Sequence, residues 1–134
     1  MTKTFFLKFL LLVGWTGFMF FLSHQPHLQS GLSSDLDFIL RKLAHITEYA
    51  VLSFLFGWCF FDILSKKYFL IFIWLAPLIY AISDEFHQFF IPGRVGSLKD
   101  VIIDLIGIFL VFILVFNGKM FYSKEYKNNF NKGK

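Results

Sequence analysis

Three short polar stretches interrupt an otherwise apolar chain: RKLAHITEY (Arg41–Tyr49), SDEFHQ (Ser83–Gln88) and SLKDVIID (Ser97–Asp104). Arg94 lies in an IPGR turn between the last two. On a helix, Arg41, His45 and Glu48 fall at i, i+4 and i+7 and share one stripe. Asp84 and Gln88 are one turn apart, with Glu85 and His87 to either side. Asp100, Asp104 and Gly107 form a further stripe, whose glycine lets a neighbouring backbone come close. Carboxylates beside imidazoles suit acid–base chemistry. The candidates for it are His45, Glu48, Asp84, Glu85 and His87. Guanidinium groups grip phosphate in bidentate fashion, which makes Arg41 and Arg94 candidate headgroup ligands. Lys99, Asp100, Asp104 and Gln88 complete that binding set. Metal ligation by these carboxylates with His45 or His87 would need donors from separate helices, and no HExxH or other dense ligand motif supports it. No metal or cofactor is therefore expected.

Positioning such groups falls to membrane helices. Of 134 residues, 57% are hydrophobic and the mean hydropathy is +0.64. A soluble domain of this size could not hide that much apolar surface. Four windows, about 5–22, 43–61, 68–90 and 101–116, approach the ~20 residues that cross ~30 Å of hydrocarbon. The expected fold is all-α, a bundle of four transmembrane helices over residues 1–117 with a basic tail at 118–134. The N-terminus resembles a signal peptide, but FMFFLSHQ places Phe21 where cleavage needs a small side chain, so it reads as an uncleaved first span. Ser34 and Asp37 have capping-box spacing, which starts the second helix near Asp35 with its first turns at headgroup level. Pro77 should bend the third span near Ile73, and Pro92-Gly93 reads as a turn. Cys59 has no partner at metal or disulfide spacing and reads as packing.

Orientation follows from the flanking cations. With the N-terminus inside, the inner side holds Lys3, Lys8, Lys66, Lys67 and five tail lysines, nine of the 13 Lys and Arg. Arg41, Lys42, Arg94 and Lys99 fall outside, so both termini are expected in the cytoplasm. The three polar stretches then meet at the outer leaflet, where spans two and four begin and span three ends. The tail suits anionic lipid. Nucleic acid is no expected partner, because the rest of the chain has no soluble basic face. The sequence sets no oligomeric state.

Two interpretations compete. Five acidic residues (Glu48, Asp84, Glu85, Asp100, Asp104) against four cations (Arg41, Lys42, Arg94, Lys99) nearly balance, as a self-neutralising structural network or scaffold requires. Ionisable groups in a membrane helix are otherwise functional candidates, here for an amphiphile headgroup, bound or acted upon. Transport fits least, since the inner halves are nearly uncharged apart from Lys8 and Asp62. Asp62 is expected to pair with Lys66 or Lys67. His24 and His27 read as solvated loop residues, and Tyr49 and Tyr80 as interhelical donors.

Lys42-x-x-His45-x-x-Glu48-Tyr49, followed by DEFHQFFIPGRVGSLKDVIIDLIG, resembles the VanZ-like family of bacterial membrane proteins. The resemblance covers about Trp15 to Val115, with all motifs in order. The Asp-Glu-x-x-Gln, Pro-Gly-Arg and Ser-x-x-Asp elements together carry it. The family more often has Asn where Asp104 stands and a small residue where Val111 stands. What the resemblance implies is a multi-pass protein of the bacterial cytoplasmic membrane with a role in the cell envelope. The family's namesake is associated with low-level resistance to teicoplanin, a glycopeptide that acts on cell-wall precursors outside the membrane. A lipid-linked cell-wall precursor and membrane lipids are thus the implied partners. The resemblance leaves open whether the protein is an enzyme.

Overall fold

The computed structural model describes residues 3–25, 33–94 and 96–117. Among these, four helices and no strand are found: α1 (Lys3–Ser23), α2 (Ser34–Phe60), α3 (Lys66–Gln88) and α4 (Leu98–Phe116). The tail, His27 and Val95 lie outside the described residues. Helices α1, α2 and α3 are each long and apolar enough to cross a membrane. Helix α4 is 19 residues, about 28 Å at 1.5 Å per residue. It carries Lys99, Asp100 and Asp104 near its start and then runs uncharged from Leu105 to Phe116. The outer faces are greasy throughout: Phe6, Leu10, Ile79, Phe86 and Phe109 are all exposed, as lipid-facing positions should be.

Helix α2 is the centre of the bundle. It packs against α1, α3 and α4, whereas α4 meets only α2 and α3. Gly107 explains how closely α2 and α4 approach. A Cβ there would sit 2.1 Å from the Ile46 carbonyl oxygen and 2.9 Å from the Ala50 nitrogen. Only a residue without a side chain fits, as the Asp100–Asp104–Gly107 stripe suggested. Below this contact, Val111 and Val115 pack with Phe69 and Ile73.

Pro77 stands inside a continuous α3. Having no N–H, it leaves the Ile73 carbonyl without its helical donor. Ser53 of α2, fully buried, supplies the missing bond, its hydroxyl donating to Ile73 O at 3.0 Å. In hydrocarbon no water could do so. The proline thus creates an acceptor that locks α2 to α3. Helix α1 is tied on from the side. Trp15 Nε1 donates to Glu48 O at 3.2 Å, and the Tyr80 hydroxyl donates to Thr16 O at 2.8 Å.

Three local expectations are corrected. Tyr49, read as an interhelical donor, has its hydroxyl buried without a hydrogen-bond partner among the described residues. Helix α2 begins at Ser34 as anticipated within a residue, but its N-cap is Ser33, which makes no side-chain cap bond. The Ser34–Asp37 capping box does not form. Asp37 instead pairs with Arg41 one turn on, at 3.2 Å, a full charge in place of a backbone dipole. Asp62 meets Lys8 of α1 at 3.3 Å rather than a lysine of its own turn; the Lys66 side chain lies outside the described residues. The lysine of α1 snorkels to the end of the bundle and finds the nearest carboxylate there.

Candidate functional site: a polar chamber at one end of the bundle

The end of α1, the first half of α2, the end of α3 and the start of α4 come together, so the three polar stretches converge in space. Their chamber has a cavity volume of about 60 Å³. It is lined on the polar side by Arg41, His45, Glu48, Asp84, Gln88 and Arg94 and on the other by Met19, Leu22 and Ser23 of α1. One water needs roughly 10–15 Å³ by this measure, so the space admits a few waters or one small polar group.

The turn that closes the chamber is set by backbone constraints. Gly93 has φ 79°, the left-handed region that glycine adopts without strain. Gly96 lies against the end of α3, where a Cβ would be 2.3 Å from the Glu85 carbonyl oxygen. This turn presents Arg94 to the end of α1. Its Nε donates to Gln25 O at 3.1 Å and its second terminal nitrogen to Leu22 O at 3.0 Å. Arg94 therefore caps the carbonyl end of α1 with the edge expected to grip phosphate, while still lining the chamber.

Behind the chamber lies a second, drier layer. Asp104 is 0% exposed, and its Oδ1 is 2.9 Å from His45 Nδ1. Its other oxygen, Oδ2, is buried with no hydrogen-bond partner among the described residues. Glu85, 4% exposed, accepts the Ser97 N–H at 2.8 Å and lies 3.5 Å from Gln88 Nε2. Ser97 in turn caps α4, its hydroxyl accepting from Lys99 N at 3.2 Å. Glu85 thus fixes the start of α4 on the end of α3. Gln88 also donates to Asp84 Oδ2 at 3.1 Å, bridging the two layers.

The remaining candidates fall elsewhere. Asp100 pairs with Lys42, a contact that the sequence did not single out although the two stretches were expected to be neighbours. Lys99 is exposed at the start of α4. His87 faces α1 rather than the chamber. Its Nε2 is 3.2 Å from His24 Nδ1, and its ring packs on Phe20. His24, expected to be a solvated loop residue, is exposed but stacked on His87. Cys59 is buried in the apolar cluster.

Apolar helices with lipid-facing surfaces around one polar chamber define a helical membrane protein whose distinctive chemistry is gathered at one end. The chain belongs to the VanZ/LLP1 family, whose model matches residues 6–121. No curated protein and no solved structure matches it.

Proposed function

We propose that the chamber receives the headgroup of a lipid-linked cell-envelope component at the outer leaflet of the bacterial cytoplasmic membrane. In this reading the chain crosses the membrane four times, with both termini and the 118–134 tail in the cytoplasm. The observation that carries it is that two chamber carboxylates make no direct ion pair. Among the described residues, Glu48 and Asp84 have no Lys, Arg or His within ion-pair distance. Lys42 is taken by Asp100 and Arg41 by Asp37, Arg94 by carbonyls, and Lys99 points out. A structural network would have spent these cations on the chamber carboxylates. Unpaired carboxylates beside Arg41, Arg94 and His45 suit a headgroup with both anionic and donor groups.

One feature favours chemistry on that headgroup as a second reading. Asp104 holds the imidazole of His45, which lines the chamber, as a buried carboxylate orients a general base. Contribution to glycopeptide resistance is the cellular outcome proposed for either case.

The test is teicoplanin susceptibility per unit of membrane-inserted protein for Glu48→Gln and Asp84→Asn. These near-isosteric changes keep the volume and remove the charge. The reading expects normal abundance with lost phenotype. Loss of phenotype strictly in proportion to loss of protein would refute it and leave the chamber as a helix-ordering device.

A further inference from the structure

We propose that His45, Glu85 and Asp104 form a site for a divalent first-row metal ion, Mn²⁺ or Zn²⁺, behind the chamber. One donor atom from each of these three residues lies within 4.8 Å of the others. The residues come from α2, α3 and α4, so only the packed bundle assembles them. That is why sequence spacing gave no ligand motif.

One observation beyond the cluster points to a cation rather than to a chance acidic group. Asp104 is 0% exposed and still has a buried oxygen, Oδ2, without a partner among the described residues. Such an atom is costly unless something positive meets it. The charge of the cluster agrees. Two buried carboxylates beside one imidazole carry an excess of negative charge that a divalent ion cancels.

The geometry and donor set select the ion. His45 Nδ1 and Asp104 Oδ1 share a hydrogen bond at 2.9 Å, and an ion would take the place of its proton. The two atoms are already near the ~3.0 Å that separates adjacent octahedral ligands at bonds of ~2.1 Å, and about 0.5 Å short of the ~3.4 Å of a tetrahedral site. One imidazole and two carboxylates suit Mn²⁺ or Zn²⁺, whereas Ca²⁺ asks for six to eight oxygens. The ligands are held from behind: Glu85 accepts the Ser97 N–H and neighbours the Gln88 amide, as metal-ligating carboxylates usually are held. His45 lines the chamber, which gives an ion its approach. With three protein ligands, one or more coordination positions remain for water or for an oxygen of a bound molecule. The inference stands apart from the headgroup reading, since the ion can bind whether or not the chamber takes a lipid.

The experiment uses the full chain in detergent, freed of any polyhistidine tag, stripped with chelator and incubated with Mn²⁺ or Zn²⁺. Retained metal is measured by elemental mass spectrometry after desalting. The wild type should keep about one ion per chain, and Asp104→Asn and Glu85→Gln should weaken binding by at least about tenfold. His87→Gln should retain the ion, because the exposed His24–His87 pair is not the site. A reversible rise in the wild-type melting temperature with metal gives a readout that does not depend on the variants folding. Absence of retained metal and of a melting shift in the wild type overturns the proposal. So does retention unchanged in both Asp104→Asn and Glu85→Gln, or retention lost on His87→Gln alone.

Discussion

Gly107→Ala is the substitution whose cost can be worked most directly from the structure. The new Cβ would lie 2.1 Å from Ile46 O, and real Cβ contacts essentially never fall under 3.0 Å. The obstacle is backbone, so no rotamer change relieves it. Helices α2 and α4 must part locally by about 0.9 Å or more. The same interface carries the His45–Asp104 contact at 2.9 Å. Opening it by that distance takes it beyond hydrogen-bond range, which ends near 3.5 Å. Overpacking of this kind costs about 1–3 kcal/mol, and loss of the buried bond adds about 1–3 kcal/mol for the group left unsatisfied. Gly14 and Gly17 of α1 provide the internal control, since a Cβ at either meets nothing within 4 Å. Fluorescence-detected gel filtration after heating, in detergent, reads all three variants. Gly107→Ala should melt well below wild type, while Gly14→Ala and Gly17→Ala stay level or gain slightly from helix propensity. If Gly107→Ala matches the two controls, the close approach of α2 and α4 is wrong, and the placement of Asp104 against His45 falls with it.

Ser53→Ala should destabilise the bundle by about 1–3 kcal/mol, because it orphans the carbonyl that Pro77 releases. Ser83→Ala, which loses only a bond to Ile79 O within its own helix, should cost less in the same melting assay. Asp62→Asn should be nearly silent in that assay, since Asp62 is largely exposed and surface pairs are worth about 0–1 kcal/mol. Arg94→Gln should loosen the end of α1. Disulfide trapping of a Leu22→Cys/Arg41→Cys pair in a Cys59→Ala background should speed up if α1 moves, and equal rates would contradict the capping role. For topology, Ser65→Cys in the α2–α3 turn should resist an impermeant thiol reagent in intact cells, and Leu98→Cys at the start of α4 should react. The reverse pattern would place the chamber on the cytoplasmic side.

The start of α2 and the convergence of the polar stretches were legible because helical periodicity and apolar length are local properties of sequence. Gly107 was legible for the same reason: a glycine one turn after Asp104 on the same stripe has few uses except close packing. Partner choice was not. Successive residues on a helix point about 100° apart, so His87, two positions after Glu85, faces α1 while Glu85 reaches Ser97. Arg94 looked like a phosphate ligand because the carbonyls that it caps lie at the end of α1 and just beyond it, some 70 residues earlier, as the Leu22 and Gln25 bonds show. Lys8 and Asp62 are 54 positions apart, a distance over which spacing says nothing. The Ser53–Ile73 bond had a usable signal. A proline inside an apolar span always frees a carbonyl four residues back, and a serine in the neighbouring apolar span is a natural donor. The orphaned Asp104 oxygen had none, because it is defined by what three other helices fail to supply.

In the proposed function, Glu48 and Asp84 are kept unpaired for a ligand. The most direct test of that role is binding of a lipid-linked cell-wall precursor to the purified chain in lipid nanodiscs, read by native mass spectrometry against bulk membrane phospholipid. The wild type should bind the precursor selectively. Glu48→Gln and Asp84→Asn should lose that selectivity by about tenfold, roughly 1.4 kcal/mol, while melting like wild type. Equal occupancy by precursor and phospholipid in the wild type, or selectivity unchanged in both variants, would contradict that role.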